Sequence, residues 1–166
     1  LVYEVTGGYS YQKFENEAFT SQLILKEPLV FMLPKQHPLA QHTEINIAQL
    51  QDLPLTILTH KLSQPLARII TQYIKQQQIH FQSIDEASNI AEAIQAVHSG
   101  HRCAILPAYI QALATDQIVV RSLHHPLPCL DVFMGYQKNE SNLATQQFLE
   151  EIRHIFDLNN SHLNLH

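Results

Sequence analysis

Apolar residues recur along this chain with two different periods, and the way the periods alternate predicts its architecture. Leu1-Val2-Tyr3 reads as the end of a buried strand, and a polar segment from Glu4 to Glu17 follows, with Gly7-Gly8 as its turn signal. Phe19, Ser21, Leu23 and Leu25 then alternate with Thr20, Gln22, Ile24 and Lys26, the period of two expected of a strand. Pro28 is expected to interrupt it, and Leu29-Val30-Phe31-Met32-Leu33 is a short apolar run of the kind a fully buried strand carries. Ile45 to Leu50 suits one or two helical turns before Pro54, and Leu55-Thr56-Ile57-Leu58 a further strand. From there the period changes. Leu66, Ile69, Ile70, Tyr73 and Ile74 share one helical face, with Pro65 at the expected first helical position and Ser63 or Gln64 at the cap.

Phe81 to Ile84 predicts a strand, and a second helix is expected from about Asn89 to Ser99. Ser88 or Asn89 caps it, Gly100 stops it, and Ile90, Ile94 and Val97 form its inward stripe. Cys103 to Leu106 is a strand and Pro107 to Leu113 a short helix; Ile118 to Leu123 and Asp131 to Tyr136 are two more strands. A last helix is expected from Asn142 to about Leu158, with Phe148, Ile152, Ile155 and Phe156 facing inward and a frayed polar tail behind it. The middle of the chain is thus β-α-β-α-β-α-β, the signature of an α/β sheet. Such sheets bind ligands at the carboxyl ends of their strands, where a loop enters a helix. Two loops fit, Thr59 to Gln64 and Asp85 to Asn89.

Composition narrows the function. The chain has 166 residues, 45% of them hydrophobic, enough for one or two small domains with a real core. Fifteen acidic against ten basic residues give a net charge of −5, and the basic residues are scattered, which argues against this segment gripping a phosphate backbone. Cys103 and Cys129 are too far apart for a CxxC site, and the short apolar runs give no membrane span. HExxH, GxSxG and phosphate-cradling loops are missing, and four glycines leave little room for one, so no enzyme activity and no cofactor are expected. His98, His101 and Cys103 invite a metal reading, but Gly100 separates the histidines and Cys103 opens a strand, where a buried inert thiol is the ordinary finding.

The order of short motifs resembles the LysR-type transcriptional regulators. Lys26-Glu27-Pro28-Leu29 through Pro34, followed by His37-Pro38-Leu39-Ala40, is similar to their "EPL…LP..HPLA" crossover, and Ile47-Ala48-Gln49-Leu50 with Leu53-Pro54-Leu55 to "L.DL...P.I". Ala87-Ser88-Asn89-Ile90, Val97-His98-Ser99-Gly100 and Ala104-Ile105-Leu106-Pro107 resemble "A.SI..AV..G.G.AILP". Val119-Val120-Arg121 and Tyr136-Gln137-Lys138-Asn139 resemble the returning strand and the turn before the final helix. One departure is that the family's second glycine is His101 here, followed by Arg102 and Cys103. Another is that the loop Thr59 to Gln64 lacks the cysteines of the peroxide-sensing branch.

The resemblance implies a periplasmic-binding-protein-like type II fold, with an effector cleft between two α/β subdomains. Residues 1–44 would end the first subdomain and cross over, 45–120 would form the second subdomain, and 121–166 would return to the first. It implies a cytoplasmic sensor of a small, anionic or polar effector, with no membrane partner. DNA would be read only by an N-terminal helix-turn-helix outside this chain, and the intact regulator would be a homodimer or homotetramer. Modules of this family pair head to tail, so the helix at Asn89–Ser99 is an expected interface, with Glu92, Ala93, Gln95 and Ala96 facing outward. A transport-type solute-binding protein of the same fold is the rival reading. Thr59, His60, Ser63 and Gln64 are the expected effector contacts, because hydroxyls and free helix N–H groups together hold carboxylates. Ser88 is a further candidate, although helix capping is the better account of it.

Overall fold

The computed structural model describes residues 2–7, 19–61, 63–139 and 142–162. Two compact units emerge, one of Leu1–Thr6, Ser10–Lys26 and Asp131–His166, the other of Gly7–Tyr9 and Glu27–Leu130. Strand β1 is Val2–Gly7 and β2 is Phe19–Pro34. There follow β3 (Glu44–Ile45), β4 (Pro54–Leu58), helix α1 (Gln64–Gln76), β5 (Ser83–Ala87) and α2 (Ile90–His98). Strands β6 (Cys103–Pro107), β7 (Ile118–Leu123) and β8 (Cys129–Gln137) precede α3 (Leu143–His162).

The larger unit is a mixed sheet. β4 lies parallel to β5, with Leu58 beside Ala87, and parallel to β6, with Leu55 beside Cys103. β2 joins them antiparallel, through Leu29–Pro107 to Met32–Ala104, and also pairs antiparallel with β7, which takes β3 in parallel. Parallel pairing of β4, β5 and β6 follows from the helices between them, since a parallel return needs a crossover. Phe31, Leu55, Ile105 and Leu106 are fully buried, as strands covered on both faces require. Against them α1 sets Leu66, Ile69, Ile70, Tyr73 and Ile74, all five residues of the predicted stripe. The Tyr73 hydroxyl is satisfied by the carbonyl of His125 at 2.6 Å.

The crossover motif has a physical role. His37 Nδ1 accepts the Leu39 N–H at 3.2 Å and so caps a 3₁₀ turn, Pro38–Gln41, while burial lowers the pKa of its ring. Arg121 closes the other end of that turn, with Nε and Nη2 donating to the Ala40 carbonyl at 3.0 and 2.6 Å.

Several expectations are corrected. Pro28 does not interrupt the sheet: β2 runs straight through it, because a single missing donor does not end a ladder that the Leu29 N–H resumes on the Pro128 carbonyl at 3.3 Å. Its apolar alternation also shifts, with Ser21 and Ile24 buried and Leu23 exposed. In place of helical turns over Ile45–Leu50 there is a two-residue strand, Glu44–Ile45, then a 3₁₀ turn, Ile47–Leu50, held by an Asn46–Gln49 capping box. β5 begins at Ser83 and reaches Ala87, because pairing with the whole of β4 sets its length. The short helix expected from Pro107 is a 3₁₀ helix that starts one residue later, Ala108–Leu113.

On α2 the inward face is Ala93 and Val97, with no exposure at either, while Ile90 and Ile94 are half-buried. Ala93 is therefore not an outward residue. A small side chain lets the helix approach the sheet, and the branched ones flank the seam. In the smaller unit β1, β8 and β2 are successive in the sheet. There Leu149 of α3 packs with Ile24 and Met134, flanked by Ile152 and Phe156, whereas Phe148 and Ile155 are exposed. Leu149 starts an i, i+3, i+7 stripe, displacing the face expected from Phe148. The helix continues to His162, past the expected end, and residues 163–166 of the tail lie outside the described residues, as do Leu1 and Gly8.

Candidate functional site

Parallel pairing of β4 and β5 brings the two predicted loops side by side at the carboxyl ends of their strands. The Thr59 N–H donates to the Ala87 carbonyl at 2.9 Å, carrying the ladder one residue past β4. Thr59 Oγ1 then accepts the Lys61 N–H at 3.4 Å, and the Thr59 carbonyl accepts the Ser63 N–H at 3.2 Å, so the loop is wound into a tight turn. Ser63 stands at the head of α1, its carbonyl taking the Ala67 N–H at 3.1 Å. Its hydroxyl makes no cap hydrogen bond. Pro65 falls one position later than expected, because the helix opens at Gln64. Among the described residues, the N–H groups of the first turn of α1 thus meet no side-chain cap from Ser63, and the exposed carboxamide of Gln64 lies next to them.

The head of α2 is closed by contrast. Asn89 Oδ1 accepts the Glu92 N–H at 2.8 Å. In return Glu92 Oε2 accepts the Ser88 N–H at 2.8 Å and the Ser88 hydroxyl at 2.5 Å. These bonds from the Ser88 side chain and backbone hold the Glu92 carboxyl below its ordinary pKa. Ser88 is committed to its own helix. His60, on the neighbouring loop, places Nε2 3.8 Å from Glu86 Oε1, both half exposed.

The structure brings Thr59, His60, Ser63 and Gln64 onto one loop and sets Ser88 on the adjoining one. It also explains Arg102, whose part was not legible in the sequence. Its guanidinium lies at the opposite end of the same strands, where Nε donates to Thr56 Oγ1 at 3.0 Å and Nη2 to Ser83 Oγ at 2.9 Å. An ion pair with Asp85 completes the cluster. Arg102, the residue after His101, is thus a clamp across β4, β5 and β6. The neighbouring Cys103 is buried against the Pro54 carbonyl at 3.3 Å, and burial pushes its thiol up to about 12. Glu92 was missed as the partner of Ser88 and Asn89, although an acid three residues after Asn89 is a capping-box pattern.

Residues 3–157 match the LysR substrate binding domain. The chain belongs to the LysR family. Among curated LysR relatives, it is similar to the Hca operon transcriptional activator HcaR of Escherichia coli (strain K12), 29% identical over 126 residues, covering 76% of this chain and 43% of that protein. The HTH-type regulator BudR of Raoultella terrigena is 21% identical over 135 residues, with 81% and 47% covered. The chain therefore spans about half the length of these relatives. Among solved LysR-type structures, the effector binding domain of BenM with its effector benzoate superposes with a TM-score of 0.75 at 17% identity, covering 90% of this chain and 68% of that one. Full-length CbnR complexed with its target DNA gives 0.70 at 14% identity, covering 93% and 53%. The fold is that of LysR effector-binding domains, the type II periplasmic-binding-like fold, and the relatives are transcriptional regulators rather than transport proteins or enzymes.

Proposed function

We propose that this chain senses a small carboxylate or similarly polar effector through Thr59–Gln64, as the regulatory part of a cytoplasmic LysR-type regulator without catalytic activity of its own. The observation that carries the site is the contrast between two adjacent helix heads: α2 is closed by Asn89 and Glu92, whereas α1 has an unused Ser63 hydroxyl and uncapped N–H groups. Such a head favours an anion by about 0.3–1 kcal/mol, more where it is partly buried. Lys61 adds positive charge, and Thr59 and Ser63 supply hydroxyls for an uncharged group. That BenM takes benzoate, a carboxylate, supports the same ligand class here.

DNA contact is assigned to the part of the relatives that this chain does not span, and self-association to α2 and the edge strand β5. Ile84, Ile90 and Ile94 give that face apolar surface beyond the needs of the unit's own core. The ligand reading is tested by calorimetry of the full-length regulator against a panel of small carboxylates and their amides. A carboxylate that binds should bind about 1–3 kcal/mol more weakly when Thr59 and Ser63 are both replaced by Ala. Unchanged affinity in a folded double variant would place the effector elsewhere.

A further inference from the structure

At the far end of α1 the backbone is strained. Asp52 and Gln78 are the described residues other than glycine with left-handed backbone, at φ +69° and +53°. The Asp52 N–H donates to the His80 carbonyl at 3.3 Å and the Gln82 N–H to the Leu53 carbonyl at 3.0 Å, so the two turns are tied together. Gln78 ends the helix: its N–H reaches the Lys75 carbonyl at 3.2 Å, and the Ile79 N–H reaches the Ile74 carbonyl at 3.0 Å. Glycine fills that position without strain, and α2 uses Gly100 at φ +86° for the same purpose. Glutamine costs conformational energy there, and what it adds is a carboxamide.

That carboxamide borders a cavity of about 550 Å³, lined by Gln51, Ile74, Lys75, Gln78, Ile79 and His80. Ile74 and Ile79 are a nearly buried apolar floor, while Lys75 and His80 stand exposed at the rim. No carboxylate lines it, and Lys75 makes no ion pair among the described residues. The helix carbonyls of Tyr73, Ile74 and Lys75 are already taken by Gln77, Ile79 and Gln78, which blunts the negative end of α1. An ammonium, an imidazole and an amide around an apolar floor match one chemistry.

We propose that this cavity is a second ligand site, for a small amphipathic carboxylate. The carboxylate would meet Lys75 and the Gln78 amide, and the hydrocarbon part would rest on Ile74 and Ile79. It lies at the opposite end of α1 from Ser63, roughly 20 Å away at 1.5 Å per residue, and stands independently of the Thr59–Gln64 reading.

Equilibrium dialysis of the full-length protein with octanoate, and with octanamide as the uncharged analogue, tests it. Octanoate should bind saturably, at least fivefold more tightly than octanamide, and at least fivefold more weakly to Lys75→Ala or Lys75→Gln. Gln78→Gly should raise the melting temperature and still weaken octanoate binding, a pair of effects that a purely structural Gln78 would not produce. In the Thr59→Ala, Ser63→Ala variant, from which the first site is removed, saturable octanoate binding that depends on Lys75 should remain. Absence of saturable binding, equal affinity for octanamide, indifference to both Lys75 variants, or loss of all saturable binding in the Thr59/Ser63 variant would each overturn the proposal.

Discussion

Ser63 and Asn89 occupy the same position at the heads of neighbouring helices, and only Asn89 caps. Asn89→Ala should therefore cost about 1 kcal/mol of stability, the usual price of a lost cap, while Ser63→Ala should cost no more than a few tenths. Denaturant melts of the two variants measure the difference directly. Acid exposes the same chemistry. The Glu92 pKa is lower in the folded chain than its ordinary 4.5, because Ser88 donates to the carboxylate. A depressed acid contributes stability above its unfolded pKa and loses it as pH falls through the folded value. Glu92→Gln should flatten the loss of stability below about pH 4.5, and an unchanged acid slope would mean the pairing does not persist in solution.

Arg102 and Cys103 lie side by side with opposite consequences. Arg102→Ala leaves the buried Thr56 hydroxyl and the Ser83 hydroxyl without their donor, an expected loss of about 1–3 kcal/mol in thermal or urea unfolding. Cys103, with its thiol pushed up to about 12, should resist iodoacetamide in the native state at pH 8, where about one thiol in 10⁴ is ionised, and react after denaturation. Mass spectrometry of the native adduct checks it.

Among the elements, the buried face of α1 was legible in full and those of α2 and α3 only in part. In α1 the five apolar residues form one uninterrupted stripe, so a single rotation about the helix axis buries them all. α2 offers six apolar or small residues around most of its circumference, and period alone does not choose among them. Close approach to the sheet selects Ala93, fully buried, over Ile94. The same ambiguity in α3 was resolved toward Leu149 by its contact with Ile24 and Met134. One consequence is a revised interface. Ala91 is exposed on the α2 face that Ile90 and Ile94 flank. Ala91→Arg should shift the full-length regulator toward monomer in sedimentation velocity without lowering its melting temperature, and an unshifted dimer would move the interface off α2.

At the scale of the whole chain, charge and coverage decide what can be asked of it. With a net charge of −5 and about half the length of its curated relatives, the chain should not retard duplex DNA with sequence preference in a gel shift. Specific, salt-sensitive retardation would contradict that. The family, the α/β class, the strand-to-helix loops and the α1 face could all be read from the order of residues. Each rests on local chemistry: period, turn residues, caps and short motifs. The structure alone decided what depends on neighbours distant in the chain. Pro28 stays inside a strand because Pro128 takes up the next donor, and β5 ends at Ala87 because β4 ends at Leu58. Arg102 became a clamp because parallel pairing brought Thr56 and Ser83 to it, and Ser63 was left free because the chain folded back through Thr59. Sequence spacing specifies which face a residue takes on its own element; only packing specifies what that face meets.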